Sequence, residues 1–250
     1  MIDKIDIEKV LFMDSETVPM TEKYENLPER FQKLWDKKTK NKRGEQSPEQ
    51  YFEEQGGVLA EFGKIVCISV GIVKKNQQSG ELELNLYSFY NEEEKKLLET
   101  FKKALDHRWS IGKVSYICAH NGKEFDFPYI CRRMLINRIG IPLPFQIQGK
   151  KPWEITHLLD TMELWKFGDN KNFTSLDLLA AVFDIPTPKS EMDGSQVKGV
   201  YYQDKDLEKI ATYCEKDVTT LVQVFLALRG ENPIAEQNII RHTKVNQTTS

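Results

Sequence analysis

Four cysteines in 250 residues form no CxxC pair and have no histidine at ligand spacing, so a zinc site is not expected. Cys67 and Cys118 lie inside apolar runs and read as buried structural thiols; Cys131 and Cys214 carry no pairing signal. No run approaches the roughly 20 apolar residues that cross a bilayer. The opening Met1-Ile-Asp-Lys-Ile-Asp6 is polar and mixed in charge, unlike a signal peptide, and a cytoplasmic location with no membrane partner is the expectation. A net positive charge is also missing: 35 basic against 38 acidic residues leave −3, which argues against attachment to nucleic acid by bulk electrostatics. It leaves room for a protein that grips a few phosphates locally through metal ions. There is no internal repeat and no low-complexity block.

What is present is ordinary core material. With 40% apolar residues, 13 Phe, 9 Tyr and 4 Trp, the chain can fill one sizeable interior. Val10-Leu-Phe-Met13 reads as a buried strand that delivers Asp14 at its end. Residues 20–57 break the pattern. They hold a helix-like piece around Phe31, Leu34 and Trp35, a polar stretch from Lys37 to Gln46, and a second short helix near Tyr51-Phe52. This is expected to be a solvated insertion anchored by Phe31 and Trp35, in preference to a substrate-binding lid. Lys64–Val73 and Glu81–Tyr90 form a predicted antiparallel hairpin, the second strand alternating polar and apolar.

A helix to about His107, a strand Ser115–Ala119, and a helix from about Phe127 to Ile139 follow, with Pro128 in the first turn. A fifth strand ends at Asp160, short helices follow, and a long amphipathic helix runs from about Asp204 to Leu228. The domain is expected to span residues 1–230, with 231–250 a polar, frayed tail. The element order predicts a mixed α/β sheet covered by helices.

Three Asp-x-Glu triplets occur, at Asp6, Asp14 and Asp206, so the pattern alone is weak among 38 acids. Only Asp14 directly follows a buried-type strand, and the strand period of two puts Asp14 and Glu16 on one side. Two carboxylates facing one point repel each other unless a cation lies between them. A surface acid pair closing a strand is the plain alternative.

Ala119-His-Asn121-Gly-Lys-Glu-Phe125-Asp126 joins the fourth strand to its helix. Asp126 there could be merely a helix cap, Asn121 and Gly122 merely a turn, and His120 is more simply structural than a base. Tyr213-Cys-Glu-Lys-Asp217 places Tyr213 and Asp217 on one helix face, beside the apolar Ile210, Leu221, Val224 and Phe225. An acid beside an apolar stripe is the informative part, because carboxylates rarely go there unpaired. Asp160 also ends a strand, and capping the next helix explains it best.

Taken in order, these three elements resemble the DEDDy branch of the DnaQ-like exonucleases. The likeness is to the proofreading domains of family-B DNA polymerases and to stand-alone bacterial proteins related to them. It covers roughly residues 9–229, with Glu61–Val70 and Asp193-Gly-Ser-Gln-Val197 similar to the stand-alone subgroup; the 20–57 excursion departs from it. The resemblance implies an RNase H-like α/β fold with a mixed five-stranded sheet flanked by helices. It implies 3′-5′ removal of nucleotides from a nucleic acid 3′ end, single-stranded DNA favoured and RNA possible.

By the same likeness, Asp14, Glu16, Asp126 and Asp217 would hold two divalent cations, Mg²⁺ or Mn²⁺. Tyr213 would place the attacking water, and Asn121, Phe125 and Thr17 would meet the substrate, although core packing explains Phe125 equally well. Association with a polymerase or repair complex stays open. Two rivals remain. One is a non-catalytic nucleic-acid-binding or scaffold module. The other is a haloacid-dehalogenase-like phosphatase, suggested by Asp14-Ser-Glu16-Thr-Val18 but lacking a late Asp-Asp pair.

Overall fold

The computed structural model describes residues 2–169, 173–186, 192 and 194–242. Its frame is a six-stranded sheet in the order β5-β4-β1-β2-β3-β6. The strands are β1 (Val10–Pro19), β2 (Gly63–Lys75), β3 (Leu82–Tyr90), β4 (Tyr116–Ala119), β5 (Leu158–Asp160) and β6 (Ile239–Arg241). β1, β2 and β3 pair antiparallel, whereas β4 runs parallel to β1, β5 parallel to β4, and β6 parallel to β3. The expected hairpin is present. Its turn is closed by Asn76, whose Oδ1 accepts from the N–H groups of Gln78 and Ser79, and by Gly80 at φ 75°.

Helices cover both faces, so β2 is buried almost throughout. On one face lie α3 (Glu94–Ser110) and α4 (Asp126–Ile136), packed on Leu11, Met13, Ile65, Ile68 and Val70. On the other lies α8 (Leu207–Leu228), whose Val218, Leu221, Val222 and Phe225 meet Phe12, Val73, Leu84 and Leu86. Short helices α5 (Thr161–Lys166), α6 (Leu176–Val182) and α7 (Val197–Gly199) connect the parts, α7 running into a π-helical turn, Val200–Asp204. Among the described residues no helix is long and apolar enough to cross a membrane.

Two expectations change. The sheet has six strands where five were expected, because Ile239–Arg241, assigned to the tail, pairs with β3 in the register Leu84↔Ile239. Three residues are too few to show a strand period, and the pairing is set up elsewhere: Gln223 of α8 holds Ile234 by reciprocal 2.8 and 2.9 Å hydrogen bonds. Residues 243–250 of the expected tail lie outside the described residues.

The segment between β1 and β2 is also more than a solvated excursion. Its helices α1 (Glu29–Thr39) and α2 (Pro48–Gln55) close on their own aromatic cluster of Tyr24, Trp35 and Phe52 with Phe62. Trp35 is fully buried and its Nε1 donates to Pro48 O at 2.9 Å, which satisfies the indole that burial would otherwise strand. Phe31 packs edge-on to Phe62, as an anchor should. Beneath this unit, Arg133 of α4 forms a forked pair with Glu94 of α3 at 2.8 and 2.6 Å, both side chains buried. Glu94 also accepts from Ile65 N, and Arg133 donates to Ala60 O, so one ion pair ties α3, α4, β2 and the insertion's exit together.

Candidate active site

Alternation along β1 decides where its acids point. Phe12 faces α8, so Asp14 and Glu16 continue on the α8 side; Leu11 and Met13 face α3 and α4, so Ser15 and Thr17 continue there. Pairing with β4 covers only Val10–Phe12. From Met13 onward that edge of β1 has no strand partner, and a gap opens at the C-terminal end of β4.

Three elements converge on this gap. α8 contributes Tyr213 and Asp217, one turn apart and close enough for each to shift the other's titration. α4 contributes Asp126 from its first residue, 3% exposed, accepting a 2.6 Å hydrogen bond from Ser15 Oγ. The loop from Ala119 to Asp126 lies between them. Its shape depends on Asn121 in the left-handed region at φ 58°, and on Gly122, where a Cβ would sit 2.4 Å from the Ala119 methyl.

Asp160 caps α5 as expected, through Met162 N and Glu163 N, and with the same carboxylate accepts from Asn121 N at 2.9 Å and Lys123 N at 3.1 Å. It is thus a clamp on the loop. His120 has both ring nitrogens engaged, with Thr161 Oγ1 and Thr174 O, each at 2.9 Å, which fits the structural reading.

Burial and mutual repulsion push the acids' pKa values up together. Asp14 is raised well above the carboxylate range, chiefly by burial and then by Glu16, Asp126 and Asp217, with the Cys214 thiol opposing. Part of its surface remains open, at the mouth of the gap. Glu16 rises to about 8 through burial and the charges of Asp217 and Asp126. Asp126 and Asp217 rise to about 6, again mainly by burial, restrained by Ser15 and by Tyr213 respectively. Tyr213 itself is raised by burial and by Asp217, so its hydroxyl keeps its proton.

Such a cluster relaxes when a cation enters. Ligating atoms of Asp14, Glu16 and Cys214 all lie within 4.8 Å of one another. Burial drives the Cys214 thiol strongly upward, which keeps it protonated and suits it to donating, at 3.4 Å, to Asp14 O and Oδ2. The carboxylates are then the hard oxygen donors that Mg²⁺ and Mn²⁺ prefer.

Of the expected residues, Asp14 and Glu16 come within ligand range of each other, and Asp126 and Asp217 lie near enough to repel them; the substrate group is more varied. Asn121 Oδ1 is buried and has no hydrogen-bond partner among the described residues, an unspent acceptor beside the site. Phe125 packs on Tyr129 at 5.3 Å between centroids and against the α3–α4 core, so packing is at least part of its role. Thr17 lies on the α4 side of β1, near Tyr129, whose hydroxyl donates to Gly57 O at 2.7 Å. Asp193 lies outside the described residues. Ser15 and Cys214 were not anticipated as partners of the acids. The strand period would have sent Ser15 toward α4, and the spacing Ile210, Cys214, Val218 would have put Cys214 on the inward face of α8.

β1 runs on to Pro19, so Asp14 and Glu16 lie within the strand and not at its end as expected, because pairing with β2 continues past them. The family B DNA polymerase from the hyperthermophilic archaeon Pyrobaculum calidifontis matches with a TM-score of 0.53 at 15% identity, over 87% of this chain and 24% of that one. The chain therefore spans about a quarter of that polymerase's length. Residues 59–242 match the family described as a predicted 3′-5′ exonuclease related to the exonuclease domain of PolB, and the chain belongs to that family. No curated protein matches it.

Proposed function

We propose that this chain is a 3′-5′ exonuclease that shortens nucleic acid, single-stranded DNA by preference, by two-metal-ion phosphodiester hydrolysis. The observation that carries the reading is the convergence of Asp14, Glu16, Asp126 and Asp217 from three distant segments into one mutually repelling group. Two divalent cations, Mg²⁺ or Mn²⁺, would neutralise phosphate charge, activate a water and stabilise the leaving oxygen. Asp14, which feels all three other acids, is the carboxylate best placed to serve both ions. Glu16 and Asp217 would complete the water-side set and Asp126 the other.

Tyr213 keeps its proton and so would act as a hydrogen-bond donor that orients the attacking water, not as a base. Asn121 would spend its idle carbonyl on the terminal nucleotide, with Phe125 and Thr17 forming the wall behind it. Residues 1–230 would make up the catalytic unit, with β6 docking the following segment on the sheet. Work alongside a polymerase or repair complex is compatible with this reading.

The test is a time course with 5′-labelled single-stranded DNA and RNA, in Mg²⁺, Mn²⁺ or EDTA, beside Asp14→Ala. A metal-dependent ladder shortening from the 3′ end, absent from a folded Asp14→Ala protein, is expected. Retained cleavage by Asp14→Ala in Mg²⁺ would overturn the mechanism, and intact oligonucleotides in every metal would overturn the activity.

A further inference from the structure

Beside the acid cluster lies a cation with unusual company. Lys64, the second residue of β2, lies opposite Val18, two residues beyond Glu16 on β1. At a strand rise of about 3.3 Å per residue, that is roughly 7 Å along the strand from Glu16, the scale of one nucleotide step. Val18 and Val66 both belong to the cluster that packs on α7 and α8, and alternation puts Lys64 on that same face, the one Asp14 and Glu16 share. Tyr213 packs against this same cluster, as do Tyr201 and Tyr202.

The Lys64 ammonium donates a 2.7 Å hydrogen bond to the Tyr201 hydroxyl and sits 4.3 Å from the centroid of the Tyr201 ring and 5.4 Å from that of Tyr202. Among the described residues it has no carboxylate within ion-pair distance, whereas the nearby Lys198 is paired with Glu53. Of the ammonium's three donors one is spent on Tyr201. The Tyr201 hydroxyl accepts that bond, which leaves its own proton to give. Tyr202 donates to Pro19 O at 2.7 Å, pinning the π-helical turn to the end of β1 and so fixing where Tyr201 stands. A half-buried lysine held by two rings, with a phenol donor at its side and no acid to neutralise it, is an anion site with its geometry already set.

We propose that Lys64 and Tyr201 bind a backbone phosphodiester of the substrate strand, one nucleotide step from the acid cluster, and so set the path of the strand leading to the reacting end. This rests on the exonuclease reading above. The side of the gap lined by Asn121 would take the terminal nucleotide, and the α7 side the strand behind it. Contact through a phosphate carries no base information, so this site would add affinity and register without sequence preference.

The test uses a 5′-fluorescein (dT)12 strand and the Asp14→Ala protein in EDTA, with binding followed by anisotropy across a KCl series. One phosphate contact on a single strand adds about 0.7 to the slope of log K against log salt. Lys64→Gln is expected to flatten the slope by about that amount and weaken binding several-fold, and Lys64→Arg to keep it. Tyr201→Phe, which removes only the hydroxyl, is expected to weaken binding about threefold, the scale of one modest hydrogen bond. It carries the test if Lys64→Gln melts early. An unchanged slope in folded Lys64→Gln, or unchanged affinity in Tyr201→Phe, would overturn the site. Wild-type cleavage of the same oligonucleotide in Mn²⁺ reads the exonuclease activity separately: cutting with an unchanged slope sinks only the phosphate site. A flattened slope without cutting sinks only the exonuclease reading.

Discussion

Ser15 and Asp126, 111 residues apart, meet in a buried 2.6 Å hydrogen bond from hydroxyl to carboxylate. Ser15 stands between the two β1 acids but points the other way, so the same three residues of strand supply two acids to one side and a clamp for a third on the other. Removing the hydroxyl would strip Asp126 of its buried side-chain hydrogen bond from β1. Ser15→Ala should therefore lower Mn²⁺ affinity and kcat/KM about 10–100-fold, as loss of a partner behind a ligand does elsewhere. Calorimetric Mn²⁺ titration with a parallel rate assay checks both, and wild-type affinity in the variant would make Ser15 a packing residue.

Tyr213 stands one helical turn from Asp217 and keeps its proton, its pKa raised by burial and by that carboxylate. Tyr213→Phe should cut kcat by roughly 100–1,000-fold, the scale of losing one positioned hydrogen-bond donor, with Mn²⁺ affinity little changed. Single-turnover rates beside metal titration separate the two effects. An unchanged rate would remove Tyr213 from the chemistry.

Glu16 links the acid cluster to stability. In the folded, metal-free protein its pKa rises to about 8 from the ordinary glutamate value of 4.5. Between these limits the folded state holds a proton that the unfolded chain has released, so stability falls as pH rises through this window. Asp14 is shifted in the same direction. The melting temperature in EDTA should decline from pH 5 to pH 8, and Mn²⁺ should restore it at the upper end. Glu16→Gln should flatten the decline and stabilise the metal-free protein at pH 8. A melting temperature that rises with pH in EDTA would contradict the account.

The Glu94–Arg133 pair predicts a purely structural phenotype. Each partner is buried and forked onto the other, so removing one leaves an uncompensated charge. Arg133→Met should cost about 3–5 kcal/mol in urea unfolding. Glu94→Gln/Arg133→Met together should recover part of that loss. Additive losses in the double variant would show that the pair is not the source.

Much of this was readable in the order of residues, for reasons that are local. Period two on β1 puts Asp14 beside Glu16, and a four-residue step on α8 puts Tyr213 beside Asp217. Asp160 before a short helix reads as its cap, though nothing near it reveals the second grip on Asn121 and Lys123. What stayed hidden was set by distant neighbours. Cys214 meets Asp14 only because α8 crosses β1, and Ser15 meets Asp126 only because α4 begins there. The insertion looked solvated because its charges dominate its composition, while its few aromatic residues close on one another. β6 is three residues long, too short for any repeat to show, and exists because β3 offers it an edge.

α8 has a consequence for how the protein would fail. The helix buries twelve residues, among them Val218, Leu221 and Phe225 against the sheet, and carries Tyr213 and Asp217 on the same rod. No hinge separates the part that anchors from the part that acts. Tyr213 and Asp217 therefore have no fragility of their own: heat that leaves the core assembled leaves this pair aligned, and the protein would lose both in one step.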